Sequence, residues 1–497
     1  MKKDKGNLKE IISHRLTKLN NIKDNGYLIY PYKYDRSHKI NEILNISIST
    51  DDKFSIAGRI ISLRKMGKTS FFHIQDMTDK IQLYIQLNNL PDDKYDHIVR
   101  NLDIGDIIGC CGNIFFTKTN ELSLKVYDID LLAKNIRPLP NLKEKDGIAF
   151  NQFEDKELRY RHRHLDLIAN PEVKNTFIKR AKIISSIRSY LDKNEFIEVE
   201  TPVLQSVYGG ASAKPFTTFH NSLNQEFFLR IADELYLKRL IIGGFDKVYE
   251  ISKNFRNEGI DKNHNPEFTS LEFYQAYADL YDMIEITESI IKYIAKKNNI
   301  NEIKFGKFNI DIVKPFRTAT IFDLLKKYSE KDLSKMETGE LIEFAKYEKN
   351  IDIDEKLNYG QILDKLFSDL VEPNLIQPIF VTDYPKSISP LAKIKRNGSN
   401  NIVERFELFI GGMEIANSFS ELNDPLEQRN RLEAQVLLKD QGDQEAQIID
   451  ENYIQAMEAG MPPTGGVGIG IDRLIMLLTN SQSIKDVIIF PTLKNED

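Results

Sequence analysis

The chain has 497 residues, of which 41% are hydrophobic and 29% are charged, and its formal net charge is −6. This length gives room for two or three domains, and the composition is typical of soluble globular proteins. No apolar run approaches 18 residues and no apolar stretch follows the basic start, which argues against a membrane-spanning segment and a secretory signal. Cys110 and Cys111 are adjacent, which disfavours a structural disulfide or a metal site, so we expect a reducing, cytoplasmic location.

Residues 1–50 are predicted to form a basic helical arm. Residues 1–40 contain ten Lys or Arg and four Asp or Glu. Positive charge of this density can neutralise nucleic-acid phosphates. The pattern also fits an ordinary solvated helix, and one face could pack while the other binds RNA. The apolar residues at helical spacing are Leu8, Ile11, Ile12, Leu16 and Leu19.

Residues 51–140 change to short alternating segments separated by turns. Five strands are predicted, at residues 54–60, 70–74, 81–85, 107–116 and 122–131. This number and spacing favour a small antiparallel barrel of the OB kind. If the loop at 77–80 closes a hairpin, Phe71 and Gln82 share a face, where an aromatic ring and an amide could stack on a base and read its edge. From the pattern alone, Phe71 fits a core position equally well.

Residues 141–170 are predicted to be a linker, because prolines precede a polar stretch. Arg159, Arg161 and Arg163 follow at alternate positions. On an extended segment this spacing puts three cations on one side, where an RNA could pass, although surface arginines are usually only solvated.

Residues 171–497 are predicted to be a single domain that contains both helices and strands. Within it, residues 177–204 indicate a helix followed by a strand, and residues 232–240 indicate a helix that starts with Glu234 in its first turn. A stretch at about 315–375 is rich in helix formers and has no motif. We expect it to be a helical insertion.

Residues 255–274 are the most informative part of the chain. They are predicted to form two strands joined by a loop at 259–267. Side chains two apart share a face of a strand, so Arg256 and Glu258 are expected to point together. The matching set on the second strand is Phe268, Ser270, Glu272 and Tyr274. Such a face suits a nucleotide with a charged small molecule, but an ordinary hairpin with a polar solvent side fits as well.

Residues 406–415 indicate a hairpin with a turn of two glycines. In that register Glu414 faces Phe409, and Glu407 lies diagonally on the same face. Two carboxylates this close favour a cation between them, and Mg²⁺ carrying ATP phosphates is the natural candidate. Two solvated strand glutamates would give the same pattern.

Asn417 and Glu421 follow this hairpin. Asn417 is an odd number of positions from Glu414, so a bulge or a strand end is required if both face one site. Glu421 is predicted to set specificity, because a buried ammonium group needs a partner, and Glu421 with the Tyr274 hydroxyl offers an anion and an acceptor.

Residues 465–478 are predicted to be a glycine-rich strand that runs into a helix. Arg473 lies in the first turn of that helix, where its guanidinium can bind a phosphate bidentately. The stretch is not the dinucleotide fingerprint, since Arg473 stands three positions after Gly470.

Together these segments resemble the three signature motifs of the class II aminoacyl-tRNA synthetases, at residues 177–204, 255–274 and 465–478. The resemblance covers nearly the whole chain, and residues 406–424 are most similar to class II lysyl-tRNA synthetases. It implies an α+β multidomain protein with an N-terminal OB-fold β-barrel and a C-terminal class II synthetase antiparallel sheet flanked by helices. It also implies activation of L-lysine with ATP and Mg²⁺, transfer of the lysyl group to tRNA(Lys), and a homodimer formed through residues 177–204.

The resemblance further implies a role for individual residues, with Arg256 and Arg473 catalytic. Lysine would be bound by Gly210, Glu234, Arg256, Glu272, Tyr274, Asn417 and Glu421. ATP would be bound by Arg256, Glu258, His264, Asn265, Phe268, Glu407 and Arg473. Magnesium would be held by Glu407 and Glu414, and the anticodon by Arg64, Phe71, Gln82 and Glu121.

One departure from the family pattern lies beside the expected lysine pocket, where Asp233 stands in place of the usual proline. Two other functions fit parts of the resemblance. A relative that moves a lysine analogue onto a protein would lack the domain at residues 54–132, which is present here. A non-catalytic RNA-binding relative would lose a motif arginine or a metal carboxylate, and the chain keeps them all.

Overall fold

The computed structural model describes residues 2–45, 52–91, 93–140, 142–145, 148–151, 153–440, 442 and 445–495, with backbone only for residues 2–7, 142–145 and 148–151. The chain divides into two compact units, Met1–Asp155 and Lys156–Asp497. The domain boundary expected between residues 50 and 51 lies outside the described residues. Among the described helices, none combines the length and apolar character needed to cross a bilayer.

The first unit consists of an N-terminal helix and a closed five-stranded barrel, as predicted. Its helices are α1 (Lys2–Asp24), α2 (Ile40–Leu44) and α3 (Lys94–His97). Its barrel strands are β1 (Lys53–Met66), β2 (Thr69–Gln75), β3 (Lys80–Gln86), β4 (Ile107–Phe116) and β5 (Leu122–Ala133), in the order β1-β2-β3-β5-β4. The prediction that the barrel is antiparallel is wrong for one pair, because β3 and β5 run parallel. A hairpin of β6 (Leu142–Lys145) and β7 (Ile148–Asn151) follows.

Alternation along the strands explains the barrel. On β2 and β3, buried and half-buried residues alternate, so that Phe72 and Leu83 point inward while Phe71 and Gln82 point outward. Helix α1 adds Leu19 and Ile22 to the same core. Phe71 is thus on the outer face of the barrel rather than in its core.

The second unit is built on a large mixed sheet with many helices. Its helices are α4 (Lys156–Arg161), α5 (Arg163–Ala169), α6 (Glu172–Lys193), α7 (Glu234–Ile242), α8 (Leu280–Lys297), α9 (Ile321–Ser329), α10 (Thr338–Glu343), α11 (Tyr359–Leu370), α12 (Pro425–Asp440), α13 (Glu451–Glu458), α14 (Ile471–Thr479) and α15 (Ile484–Val487). Its strands are β8 (Ile197–Glu198), β9 (Leu204–Gln205), β10 (Thr217–His220), β11 (Gln225–Leu229), β12 (Lys247–Phe255), β13 (Glu267–Ala276), β14 (Ile303–Phe305), β15 (Phe308–Ile310), β16 (Arg317–Thr320), β17 (Ile379–Thr382), β18 (Arg405–Ile410), β19 (Met413–Ser420) and β20 (Thr464–Gly470).

The main sheet has eight strands in the order β16-β17-β18-β19-β20-β13-β12-β8. Only its two edge pairs, β16–β17 and β12–β8, are parallel. Helices α6, α8 and α14 cover one face, where Ile187, Ile291 and Ile475 pack against Phe273 and Val467 in one hydrophobic core. The opposite face is left for a polar site.

Residues 315–375, expected as a helical insertion, contain more than helices. Helices α9, α10 and α11 share a core of their own around Leu325, Leu363 and Phe367. Residues 317–320, however, form edge strand β16 of the main sheet. The stretch is therefore attached to the sheet through a strand.

The expected extended segment with Arg159, Arg161 and Arg163 on one side is wrong, because these residues lie in helices α4 and α5. Asp166 accepts from Arg159 Nε at 2.6 Å and from Arg163 Nη1 at 2.7 Å. Arg161 pairs with Glu157 one helical turn away. All three cations are engaged within the protein, since helical spacing brings carboxylates to them.

Candidate active site

A single cavity on the open face of the main sheet collects the predicted site. All fourteen residues predicted for lysine, ATP and magnesium line it. They come from the segment before β10, the start of α7, the loop between β12 and β13, β13, β18, β19 with the residue after it, and the start of α14. These are Gly210, Glu234, Arg256, Glu258, His264, Asn265, Phe268, Glu272, Tyr274, Glu407, Glu414, Asn417, Glu421 and Arg473.

The cavity floor is a strand without side chains. Gly466, Gly468 and Gly470 alternate along β20, so all three face the cavity. A methyl group on Gly466 would overlap Glu421 and the Tyr274 ring. The predicted glycine-rich strand and following helix are confirmed, and the glycines leave the space in which the acidic side chains meet.

The loop between β12 and β13 places Arg256 differently from expectation. Strand β12 ends at Phe255, so the idea that Arg256 and Glu258 share a strand face is wrong. Arg256 turns over the Phe268 ring instead, with 5.1 Å between guanidinium carbon and ring centroid. Burial lowers its pKa, and its buried Nε has no hydrogen-bond partner among the described residues. Arg256 is therefore an available donor for an anion.

Arg473 lies in the first turn of α14, as predicted, and joins two candidate residues. Its Nη1 donates to Glu414 Oε2 at 3.1 Å, and its Nη2 lies 2.9 Å from His264 Nε2. Because a guanidinium only donates, His264 Nε2 accepts and Nδ1 donates to Asp261 at 2.9 Å. His264 thus links Arg473 to Asp261.

Glu258 and Asn265 lie at the edges of the cavity. Glu258 is exposed, close enough to Arg256 for its charge to affect that guanidinium. Asn265 is buried, donates to Glu267 O at 2.6 Å and accepts from Thr492 N at 3.2 Å. The amide of Asn265 therefore also ties the loop to the chain's last segment.

The hairpin of β18 and β19 has the predicted turn and pairs Phe409 with Glu414. Both turn glycines have positive φ, at 66° and 74°, which favours glycine. The register shifts between Leu408 and Phe409, which leaves Ile415 as an extra residue. Asn417 consequently pairs with Glu407 and shares its face with Glu414, so the bulge that the spacing required is present.

Glu407 lies in a dense charge network. Its Oε1 accepts from Arg405 at 2.5 Å and its Oε2 from the Tyr384 hydroxyl at 2.8 Å. Burial raises the pKa of Glu407 to about 8, opposed by Arg405 and reinforced by Glu414. The two glutamates thus repel each other.

The donor set fits Mg²⁺, which prefers carboxylates and water and relieves such repulsion. The nearby Asn417 Oδ1 is buried and, in the described part of the chain, has no hydrogen-bond partner. The structure's described residues contain no metal-binding group of three or more His, Cys, Asp or Glu. Glu407 and Glu414 are the two cavity carboxylates that could hold such an ion.

The acidic end of the cavity also contains Lys238, which was not predicted from the sequence as a site residue. Glu234 and Glu421 are 5% and 1% exposed. Lys238, one turn after Glu234 on α7, contacts Glu234 Oε1 at 2.5 Å and forms an ion pair with Glu421 Oε2. Burial raises the pKa of Glu421 to about 8, while Lys238 opposes the rise. The i, i+4 spacing of Glu234 and Lys238 was the available signal.

A second group of carboxyls adjoins this pair. Tyr274 donates its hydroxyl to Glu272 Oε2 at 2.9 Å. The Asp233 carboxyl is fully buried and within hydrogen-bonding reach of Glu272. Burial raises the pKa of both carboxyls. The charge of Asp233 raises that of Glu272 further, well above its ordinary value, whereas the hydrogen bond with Glu272 opposes the rise at Asp233. Two adjacent buried carboxyls are most stable when they share one proton.

Gly210 is fixed by its surroundings. Its φ is +85°, and an added Cβ would come within 3.0 Å of Glu234 Cβ and 3.2 Å of Ala232 Cβ. A side chain at position 210 would therefore displace Glu234.

The residues predicted for the anticodon lie on the barrel. Phe71 pairs with Arg64 on β1 and with Tyr84 on β3, which puts Phe71 and Gln82 on one face, as predicted. Gln82 donates to Glu121 Oε2 at 2.8 Å. The aromatic ring, the amide and the carboxylate therefore form one outer surface.

Comparisons with known proteins agree with this architecture. The family model for class II tRNA synthetases (D, K and N) matches residues 155–494, and the model for the OB-fold nucleic acid binding domain matches residues 54–132. The chain is 46% identical to the lysine–tRNA ligase of Clostridium novyi (strain NT), over 97% of this chain and 94% of that protein. It is 46% identical to the lysine–tRNA ligase of Carboxydothermus hydrogenoformans over 99% of both chains, and 47% identical to that of Pelotomaculum thermopropionicum over 98% and 95%. With a signature arginine on each side of an acidic cavity and these relatives along its full length, the chain belongs to the class II tRNA synthetase family (D, K and N).

Proposed function

We propose that the chain is a lysine–tRNA ligase. It activates L-lysine with ATP to lysyl-adenylate and pyrophosphate, and then transfers the lysyl group to the 3′ end of tRNA(Lys). The observation that carries the proposal is Glu421, a buried carboxylate whose Oε1 accepts no hydrogen bond from the described residues. Lys238 offers one positive charge to the two buried glutamates Glu234 and Glu421. A second cation is therefore favoured at this end of the cavity, and the ε-ammonium of lysine is such a group.

Charge and position support the assignment of the two ends of lysine. Glu421 and Tyr274 receive the ε-ammonium, whereas Glu234 and Glu272 receive the α-ammonium beside Gly210. These carboxyls line one cavity, which excludes water from most of their surface. An aspartate substrate would place its side-chain anion against Glu421, which is repulsive.

Arg256 and Asn417 are proposed for the part of lysine that reacts. Arg256 binds the lysine carboxylate and the α-phosphate together, since its buried guanidinium has donors to spare. The Asn417 amide lies between the acidic end of the cavity and Glu407, where it holds the substrate in line.

ATP is proposed to lie between Phe268 and Arg473, with Glu258, His264 and Asn265 at its edge. The lysine carboxylate attacks the α-phosphorus, pyrophosphate leaves, and Arg256 and Arg473 stabilise the negative charge that develops. Mg²⁺ held by Glu407 and Glu414 would neutralise the phosphates when bound. No side chain serves as a nucleophile in this scheme.

ATP–pyrophosphate exchange measured with lysine, aspartate, asparagine and norleucine tests the substrate. Norleucine has the four side-chain carbons of lysine but no ε-ammonium group, so only lysine should support exchange. Removal of Mg²⁺ with a chelator should stop it. Absence of lysine-dependent exchange would refute the proposal, and lysyl transfer to a protein but not to tRNA would favour the protein-modifying alternative.

We also propose that the barrel surface with Arg64, Phe71, Gln82 and Glu121 binds the anticodon, because it joins an aromatic ring to hydrogen-bonding groups. A homodimer through residues 177–204 is supported by the exposed apolar residues Ile197, Val203 and Leu204. Light scattering tests this, and an active monomer would contradict it. The free thiols of Cys110 and Cys111 support a cytoplasmic location.

A further inference from the structure

Lys238 stands behind the two carboxylates at the acidic end of the cavity. Its side chain is fully buried, and its ammonium contacts Glu234 Oε1 and Glu421 Oε2. The same ammonium lies 6.0 Å from the centroid of the Tyr274 ring. One side chain of the protein thus joins the proposed α-ammonium ligand and the proposed ε-ammonium ligand of lysine.

This ammonium keeps its charge despite its burial. Desolvation alone would lower the pKa of Lys238, but Glu234 and Glu421 raise it above its ordinary value. A buried cation with two anions is a paired group rather than a proton donor. Lys238 is therefore a fixed positive charge in the wall of the pocket.

We propose that Lys238 is a positioning residue for lysine, whose ammonium favours the ionised forms of Glu234 and Glu421 and pairs with one oxygen of Glu421, which leaves the other oxygen for the substrate. The inference rests on the proposed function, since it assigns a role within the same pocket. Neither oxygen of Glu421 accepts a hydrogen bond from the described residues, but Oε2 forms the ion pair with Lys238 and Oε1 forms no ion pair with any of them. The substrate ammonium then meets an anion that is already oriented.

The other groups around Glu421 cannot replace this charge. Glu234 on α7 adds negative charge, and Gly466 on β20 adds none. Tyr274 on β13 and Tyr453 on α13 are neutral phenols, because burial raises the pKa of each. Within the described part of the chain, Lys238 is the only cation that forms an ion pair with Glu421.

Lys238→Met tests the role through the pH dependence of lysine binding. Burial already raises the pKa of Glu421, and loss of the opposing ammonium raises it further, so the protonated, inactive fraction grows near neutral pH. The KM for lysine should rise about tenfold or more at about pH 7 and recover toward the wild-type value by about pH 9, since one pKa unit is a tenfold change in protonation. The KM for ATP should change less than about twofold, because the ion-pair partners of Lys238 are Glu234 and Glu421, and neither is predicted to bind ATP.

Comparison with wild type at each pH cancels the titration of lysine itself. Arg239→Met is the matched control, because Arg239 is the next residue of α7 and its ion pair with Asp450 involves no carboxylate of the pocket. This variant should keep the wild-type lysine KM and pH profile. If Lys238→Met does not fold, Lys238→Gln provides the same test. Its increase in the KM for lysine should be smaller, and it should still recover at high pH.

A lysine KM and pH profile like wild type in the Lys238 variant would overturn the inference. So would a loss that is equal at every pH and accompanied by an equal rise in the ATP KM. Wild-type protein without lysine-dependent exchange at any pH would instead refute the proposed function itself.

Discussion

Glu407 and Asn417 lie directly opposite each other on β18 and β19, with both side chains facing the cavity. The extra residue Ile415 shifts the strand register by one position and so produces this pairing. On a regular strand, Asn417 would lie on the face opposite Glu414. The bulge brings an amide and two carboxylates into one site.

The buried Asn417 Oδ1 accepts no hydrogen bond within the described chain. We therefore expect Asn417 to lower the stability of the fold while it serves ligand binding. Asn417→Leu has a similar volume and removes the unsatisfied oxygen, so the melting temperature should stay unchanged or rise. The KM for lysine should rise about tenfold, which corresponds to loss of one hydrogen bond of about 1.4 kcal/mol. Calorimetric unfolding together with exchange kinetics checks both parts. A lower melting temperature with unchanged KM would contradict the prediction.

Gly466→Ala should block the lysine pocket. A methyl group there would overlap both Glu421 and Tyr274. Lysine-dependent exchange should fall about a hundredfold or more, because a displacement of about 1 Å at a reacting site has that effect. Gly468→Ala is the control, since its added Cβ would meet Glu272 Cγ only at an ordinary 3.7 Å. Equal losses in the two variants would contradict a specific effect of the overlap with Glu421 and Tyr274.

Asp233→Asn should change the pH dependence of stability. Burial raises the folded-state pKa of Asp233 and of Glu272. A carboxyl whose pKa is higher in the folded state than in the unfolded state stabilises the fold at low pH. This contribution is lost as the pH rises from about 4, the unfolded pKa, through the folded pKa.

The variant has one fewer buried carboxyl to ionise. Its melting temperature should therefore fall less steeply from about pH 5 to about pH 9 than that of wild type, with an advantage of about 2–4 °C at the alkaline end. Differential scanning calorimetry at several pH values measures this. Parallel curves would show that Asp233 and Glu272 do not share a proton.

Arg256→Ala should reduce lysine-dependent exchange about a hundredfold or more, because it removes a preorganised charge from the reacting carboxylate and phosphate. The melting temperature should change little, since Arg256 forms no ion pair with any described residue and contacts mainly the Phe268 ring. Arg429→Ala on α12, which removes an ion pair with Glu451, is the control and should keep full activity. Near-normal exchange in Arg256→Ala would contradict its assigned role.

Phe71→Ala should separate the two steps of the reaction. Loss of one base-stacking ring costs about 1–3 kcal/mol of RNA binding, so the KM for tRNA(Lys) in charging should rise about tenfold. Lysine-dependent exchange, which needs no tRNA, should stay unchanged. Equal effects on charging and exchange would show that Phe71 serves the fold instead.

Much of the barrel and several elements of the site follow from local sequence patterns. Alternating apolar residues predict the five barrel strands and put Phe71 and Gln82 on one face. The glycine pair before Met413 fixes the hairpin register of Glu414, and helix signals place Glu234 and Arg473 in first turns. Local pattern fails where β12 ends at Phe255, because the chain there turns to fit the loop instead of continuing the strand.

The sequence by itself determines which residue types are present, the period of each strand and helix, and the register across a tight turn, because these depend on neighbours within a few positions. Only the tertiary structure decided that Lys238 meets Glu421 and that Asp233 meets Glu272. These contacts join α7 to strands far away in sequence, and they exist because a strand of glycines leaves room between β13 and β19. Burial then sets the protonation of the carboxyls, and burial depends on every element that packs around them.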